Sequence, residues 1–323
     1  MSTKPLVSIL APCYNGERYL KKFLGSVLSQ DYDKLELILI NDGSTDSSET
    51  IVQSYEDELL KNGVSLIIHN QENQGIGAAI NNGLKLMHGD YFTWIGIDDY
   101  YHPQFFTKLV SFMEENKRYC VVRNDGYVVD ENNNDIILGR MADSNHDKYN
   151  EHLFENAILE RNFQFGYSLV RTADFLKVNP TRSIYPSREG QNWQLLLPLF
   201  YNGLSAFYEE PLYYVLNNAW SVSRNPRKYG FKHLIAQKEE YKTILTNTLH
   251  SFDLKNRDKY LHMVNVKYAR MKMQIAYMYK EKEYVQEMYA ELKSLNSDTF
   301  KDKFLYLRSL FPFLDGIYKF IRK

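Results

Sequence analysis

The chain has 323 residues, with 39 Lys and Arg against 40 Asp and Glu for a formal net charge of −1; this leaves room for about two domains and excludes the broad basic field of a general nucleic-acid binder. Its 2 cysteines, Cys13 and Cys120, stand far apart and in no metal-ligand spacing, which points to a reducing compartment without a disulfide framework. No apolar run approaches the ~20 residues of a membrane span, the Met1-Ser-Thr-Lys-Pro5 start does not resemble a signal peptide, and the 26 Tyr and 18 Phe suit core, stacking surface or membrane-facing edge alike.

Val7 to Ala11 is a short β-forming run stopped by the turn chemistry of Pro12-Cys-Tyr-Asn-Gly16. From Glu17 to Ser29 the residues Tyr19, Leu20, Phe23, Leu24, Val27 and Leu28 recur on one helical face. Leu35 to Ile40 is apolar apart from Glu36, as expected of a strand buried on both faces of a parallel sheet. Asn41-Asp-Gly-Ser-Thr-Asp46 ends it, and Ser44 or Asp46 is placed to cap a helix running through Tyr55. Val64 to Ile68 reads as a third strand, Gly75 to Met87 as a small-residue helix, and Tyr91 to Ile95 as a fourth strand ending at Gly96-Ile-Asp-Asp99. This alternation predicts an α/β fold, a doubly wound parallel sheet with right-handed crossovers.

Beyond Pro103 a helix over Phe105–Glu115 precedes strand-like segments at Tyr119–Val122 and Gly126–Val129. Asp130 to Asp135 is a polar turn, and Ile136–Gly139 returns as a hairpin partner. Asp143 to Asn150 is loop-like, and past Arg224 only helical periodicity remains, with a turn near Tyr279–Glu283. The boundary is expected at Val222 to Lys228, where Asn225-Pro226 interrupts the pattern, giving a catalytic domain over 1–224 and a helical region over 225–323.

In open α/β sheets ligands bind beyond the carboxyl ends of the strands. The polar clusters Tyr14-Asn15, Asp42, Asn70 to Gly75 and Asp98-Asp99 all fall at such ends. Adjacent carboxylates there suit a hard divalent cation that bridges protein and substrate phosphates, or else serve as turn and cap residues before the next helix. Asp42 has the same two readings, as a base-edge acceptor or an Asx turn. No dinucleotide fingerprint, phosphate-binding P-loop or nucleophile elbow is present, and the histidines show no metal-ligand spacing.

Ser8-Ile-Leu-Ala-Pro-Cys-Tyr-Asn-Gly-Glu-Arg-Tyr-Leu20, Glu36-Leu-Ile-Leu-Ile-Asn-Asp-Gly-Ser-Thr-Asp46, Asn73 to Leu84 and Gly89 to Asp99, in that order, resemble the family 2 glycosyltransferases of GT-A fold. The resemblance covers most of residues 6 to 106. It implies an inverting, metal-dependent enzyme that moves a sugar from a nucleotide-sugar donor, most simply a UDP-sugar, to a glycan or lipid-linked acceptor in surface polysaccharide synthesis. By it Pro12, Tyr14 and Asn15 lie on the nucleotide side and Asp42 hydrogen-bonds the base. Asp98 falls near the ribose or sugar phosphate, and Asp99 ligates Mn2+ or Mg2+.

The sequence departs from the family pattern in three places. Gly96 stands where many members have a further Asp. Ile80, followed by Asn81, stands at the Arg of an Ala-Arg-Asn triplet, with Lys85, Arg188 and Arg224 as substitutes for the lost cation. Gln191-Asn192 replaces the Glu-Asp pair that holds the general base, and an amide cannot take a proton. Glu189 is then the nearest candidate base, with Gln191, Asn192 and Trp193 placed to bond or stack on sugar. These losses keep open a second reading, a degenerate sugar- or nucleotide-binding partner subunit. Phe163 to Tyr167 resembles the acceptor side, although plain core packing is the better reading for each of its aromatics.

Phe300 to Lys323 carries six basic residues (Lys301, Lys303, Arg308, Lys319, Arg322, Lys323) against Asp302 and Asp315, with aromatics between. Such a segment either lies in a bilayer interface or docks as terminal helices. The expected location is cytoplasmic, with peripheral contact at the inner face of the plasma membrane, and no nucleic-acid partner.

Overall fold

The computed structural model describes residues 4–133, 136–142, 148–161, 165–217, 229–311 and 313–314. The chain divides into two compact units, one of residues 1–219 with 251–253 and one of 220–250 with 254–323. The boundary expected at 222–228 lies outside the described residues, as do much of the polar loop after Asp143, part of Phe163–Tyr167 and the end of the tail from residue 315.

In the first unit β1 (Val7–Cys13), β2 (Leu35–Asp42), β3 (Val64–Gln71) and β4 (Tyr91–Trp94) alternate with α1 (Glu17–Leu28), α2 (Ser48–Ser54), α3 (Glu56–Lys61) and α4 (Ile76–Leu86). β1 pairs in parallel with both β2 and β4, and β2 with β3. Every residue of β2 is buried, as its unbroken apolar run requires. The one charge in that run is satisfied: Glu36 accepts from the Ser8 hydroxyl and from His88 N at 2.6 Å, and its other oxygen lies 3.1 Å from His88 Nδ1.

The second half of the sheet is mixed. It uses β5 (Tyr100–Tyr101), α5 (Phe105–Glu115), β6 (Tyr119–Asn124), β7 (Tyr127–Asp130), β8 (Ile137–Arg140), α6 (Phe154–Leu159), β9 (Tyr167–Arg171), α7 (Thr172–Val178), α8 (Gln191–Asn202), β10 (Leu204–Tyr208) and β11 (Tyr213–Asn217). The seven-stranded sheet runs β10-β6-β9-β4-β1-β2-β3. β9 enters antiparallel to both β4 and β6, so the sheet is mostly rather than wholly parallel. A smaller sheet, β5-β11-β7-β8, contains the expected β7–β8 hairpin. The two-residue β5 carried too short a pattern to be read from sequence. Much of the aromatic excess is core: Tyr91, Tyr101 and Tyr213 rank among the largest fully buried side chains.

The second unit is helical, with α9 (Phe231–His250), α10 (Arg257–Met278), α11 (Lys282–Ser294) and α12 (Phe300–Leu310). The turn expected near Tyr279–Glu283 is present between α10 and α11. Ala269, Met273, Ala276, Val285, Met288 and Leu292 form its core. α12 begins with a capping box in which Thr299 and Asp302 satisfy each other's backbone N–H.

Candidate active site

Four loops meet at the carboxyl ends of β1, β2, β3 and β4. The first two are tied to each other. Asn15 adopts a left-handed backbone (φ 49°), its N–H donates to Ser44 Oγ at 3.0 Å, and its Oδ1 accepts from Thr45 N at 2.8 Å. Asp46 Oδ2 accepts from Glu17 N and Glu17 Oε2 from Ser47 N, at 3.0 and 2.9 Å. Asp46 Oδ1 also accepts from Ser48 N at 3.0 Å, so one carboxylate serves the starts of both α1 and α2. Beside this brace Tyr14 is 54% exposed, an open aromatic face at the rim, and Pro12 is half-buried next to it.

Asp42, at the end of β2, is 4% exposed and holds the third loop. Its Oδ1 accepts from Gln71 Nε2 and Gln74 N, and its Oδ2 from Gly75 N, each at 2.8 Å. Gly75 has φ 90°, a conformation that side chains other than glycine's rarely adopt. Gly77 gives its N–H to Ser187 O at 2.9 Å. That approach is so close that a Cβ on Gly77 would lie 2.6 Å from Ser187 N.

The segment before α8 therefore packs on the start of α4. Asn81 secures it further, accepting from Ile184 N at 2.7 Å and donating to Ile184 O at 2.9 Å. Gln194, buried in α8, accepts from Tyr185 N at 2.7 Å. Arg188 is exposed on this segment, its Cγ only 2.9 Å from where a Gly75 Cβ would stand. Ile80, at the position of the family's arginine, is fully buried.

At the end of β4 the adjacent carboxylates differ. Asp99 is 9% exposed, and both its oxygens are used by the chain: Oδ1 accepts from Leu216 N at 3.1 Å and Oδ2 from the Tyr167 hydroxyl. Burial, with Asp99 and Asp98 nearby, pushes the Tyr167 phenol well above its usual range, so the phenol stays a donor. Asp98 is half-buried and lines a small pocket of about 90 Å³ together with Arg18, Tyr19, Lys22, Asp99 and Glu131. Arg18 and the Tyr19 hydroxyl both engage Glu131 there, at 2.9 and 3.2 Å. The metal-ligand role expected of Asp99 thus falls on a carboxylate each of whose oxygens already accepts one hydrogen bond from the chain.

The expectations for α8 separate in the same way. Trp193 is 5% exposed, donates from Nε1 to Ala157 O at 3.2 Å and meets Phe165 edge-on. It is a core residue, which corrects its expected stacking on sugar. Asn192 Oδ1 accepts from Trp94 Nε1 at 2.7 Å, which anchors the start of α8 to the end of β4. Gln191 and Glu189 are half-buried on either side of Gly190, whose left-handed backbone (φ 75°) precedes the helix.

The structure thus gathers Tyr14, Asn15, Asp42, Asp98, Arg188 and the Glu189–Asn192 segment around the ends of β1, β2 and β4. Sequence reading missed Tyr167 and Gln71 as the partners of Asp99 and Asp42. Neither has a local signal, since each bond spans tens of residues. One or two carboxylates at this rim fit a hard cation whose remaining ligands come from a substrate diphosphate. Among the described residues, no group of three or more His, Cys, Asp or Glu side chains is assembled to hold a metal by protein ligands alone.

Comparison with known proteins gives this arrangement its context. The profile of Glycosyl transferase family 2 matches residues 8–178. An uncharacterized glycosyltransferase of Rickettsia typhi is 38% identical over 123 residues, which is 38% of this chain and 36% of that protein, so the match spans about a third of the relative's length. Among solved structures, S. aureus TarS 1-349 in complex with UDP superposes with a TM-score of 0.61 at 16% identity, covering 94% of this chain and 90% of that one. A mannosyltransferase, PcManGT from Pyrobaculum calidifontis in complex with GDP-Man and Mn2+, gives 0.54 at 11% identity over 96% and 80%. At such identities the two structures speak for the fold.

Proposed function

The chain belongs to glycosyl transferase family 2 and has its GT-A fold, and on that premise we propose that it is an inverting glycosyltransferase using a UDP-sugar donor. The observation that carries the proposal is the convergence of Asp42, Asp98 and the Arg188–Asn192 segment on one rim, at the place where α/β sheets bind ligands. Tyr14 and Pro12 would flank the base and Asp42 would accept from its edge. We assign the leading cation-facing role to Asp98: both carboxylates line the pocket, but Asp99 is the more buried of the two and holds Leu216 and Tyr167. Mn2+ or Mg2+ held there would stabilise the charge developing on the diphosphate leaving group. Glu189 would remove the acceptor hydroxyl's proton, from beside the amides that stand where the family keeps its acidic pair.

The acceptor in this reading is a glycan or a lipid-linked glycan of surface polysaccharide synthesis, reached from the cytoplasmic face of the membrane. Support for membrane contact comes from α12 and the residues after it. Phe300 and Phe313 are 83% and 66% exposed, and Lys301, Lys303 and Arg308 lie between them. No helix among the described residues is long and apolar enough to cross a membrane. We assign catalysis to residues 1–224 and the helical region to 225–323.

A panel of nucleotide sugars incubated with purified protein and Mn2+ tests the reading through nucleotide release. Turnover of a UDP-sugar, lost in Asp98→Asn, is the expected result. Failure to bind UDP or turn over any donor would overturn it in favour of a non-catalytic partner subunit. The observation that keeps this second reading in play is that Asn192 is committed to Trp94 and cannot act as a base.

A further inference from the structure

Asp42 is not an open carboxylate. Its oxygens offer about four acceptor sites, and the chain fills three of them, through Gln71 Nε2, Gln74 N and Gly75 N. One site on Oδ2 is left for a ligand. A single acceptor suits a base edge that presents a single N–H. It also fails to say what stands next to that N–H, and the answer lies in the side chain crossing Gly75.

We propose that Arg188 is the second half of a base-reading pair, donating to a carbonyl oxygen of the donor's base while Asp42 accepts the neighbouring N–H; this rests on the UDP-sugar reading above. Three observations place it there. The Gly75 N–H bonds Asp42 while Arg188 Cγ and Cα lie 2.9 and 3.5 Å from where a Gly75 Cβ would stand, so one glycine separates the carboxylate from the arginine. The guanidinium reaches the same turn, with Nη1 3.4 Å from Asn73 Oδ1. The segment that carries Arg188 is fixed at its base by Gly77, Asn81 and Gln194, so the side chain is presented from a rigid support.

No other described cation competes for this place from α4. Ile80 is buried. Lys85 lies in the last turn of the helix, about 14 Å along the axis from its first residue at 1.5 Å per residue. Arg224 lies outside the described residues.

The absence of glycine's side chain now has a reason. Any Cβ at position 75 would push Arg188 off the turn, whatever its effect on the backbone. The chemistry also selects among bases. A uracil edge has one N–H flanked by carbonyl oxygens and satisfies both residues. Guanine brings two donors to one free acceptor, and cytosine and adenine offer no ring N–H beside a carbonyl.

Titration calorimetry with UDP, uridine, CDP and GDP, on wild type, Arg188→Ala and Arg188→Lys, tests the pair. Wild type is expected to prefer UDP. Arg188→Ala should weaken UDP and uridine by the same factor, about ten- to a hundredfold for a lost charge-assisted bond, and bring UDP and CDP closer together. Its ligand-free melting temperature should not move, because the side chain is exposed. Arg188→Lys should recover part of the affinity, lacking the planar fork. If UDP weakens but uridine does not, the guanidinium holds phosphate and the base-reading role is overturned. Unchanged affinity for both ligands overturns any donor contact. Should wild type bind no uridine nucleotide, the UDP reading itself falls, a result distinct from either variant outcome.

Discussion

Replacing Asp98 and Asp99 one at a time separates two roles that adjacency in sequence merges. Asp99→Ala removes the acceptor of two donors, Leu216 N–H and the Tyr167 hydroxyl, at a site only 9% exposed. A buried donor left without a partner costs about 1–3 kcal/mol, so the pair should lose about 2–6 kcal/mol. For a unit of this size each kcal/mol lowers the melting temperature by roughly 2–4 °C, which makes the expected drop on the order of 10 °C. Asp99→Asn keeps an oxygen for Leu216 and should lose about half as much. Asp98→Ala, at a half-buried position on the pocket, should lower the melting temperature less than Asp99→Ala yet lose donor turnover and the Mn2+-dependent rise in UDP affinity. Differential scanning calorimetry alongside a nucleotide-release assay reads both. An Asp99→Ala protein that melts like wild type but cannot use Mn2+ would refute the assignment.

Three further outcomes follow from the geometry. Gly77→Ala drives a Cβ to 2.6 Å from Ser187 N, which should cost about 1–3 kcal/mol and weaken UDP binding by displacing the neighbouring Arg188; chemical denaturation and calorimetry check the two effects. Burial pushes the Cys120 thiol up to about 12 and raises Cys13 as well, so Ellman's reagent at pH 8 should titrate neither until the protein is unfolded. Burial raises the Tyr32 phenol from 10.0 to about 12 and lifts Tyr167 too. The fold favours the neutral phenols, so their contribution is complete below pH 10, and that of Tyr32 is lost as pH rises from 10 through about 12. The difference in 295 nm absorbance between wild type and Tyr32→Phe should therefore develop toward pH 12, and a difference that develops near pH 10 in a protein that stays folded would contradict this.

The strands of the first hundred residues were legible because a buried parallel strand writes a continuous apolar run, as β2 does. The rim was legible because each run stops in turn chemistry. What remained hidden depended on contacts far apart in the chain. The sequence places Asp98 beside Asp99, but only the pairing of Asp99 with Tyr167 and Leu216 decides which one faces inward. Trp193 was misread for a different reason. α8 is buried from Trp193 to Phe200, so it has no polar face from which the inward direction could be judged. β9 reads as a strand whichever way it runs, and its antiparallel entry is a property of the loops around it.

The brace between Asn15, Ser44, Thr45, Asp46 and Glu17 changes how the thermodynamics of ligand capture should divide. Loops that already hold one conformation surrender little freedom when a nucleotide arrives, so the contact energy there is not consumed in freezing the chain. The half of the cleft built on β1 and β2 behaves as a rigid mould whose shape is set at folding. In the proposed reading, any discrimination that needs a loop to move is then left to segments outside this brace.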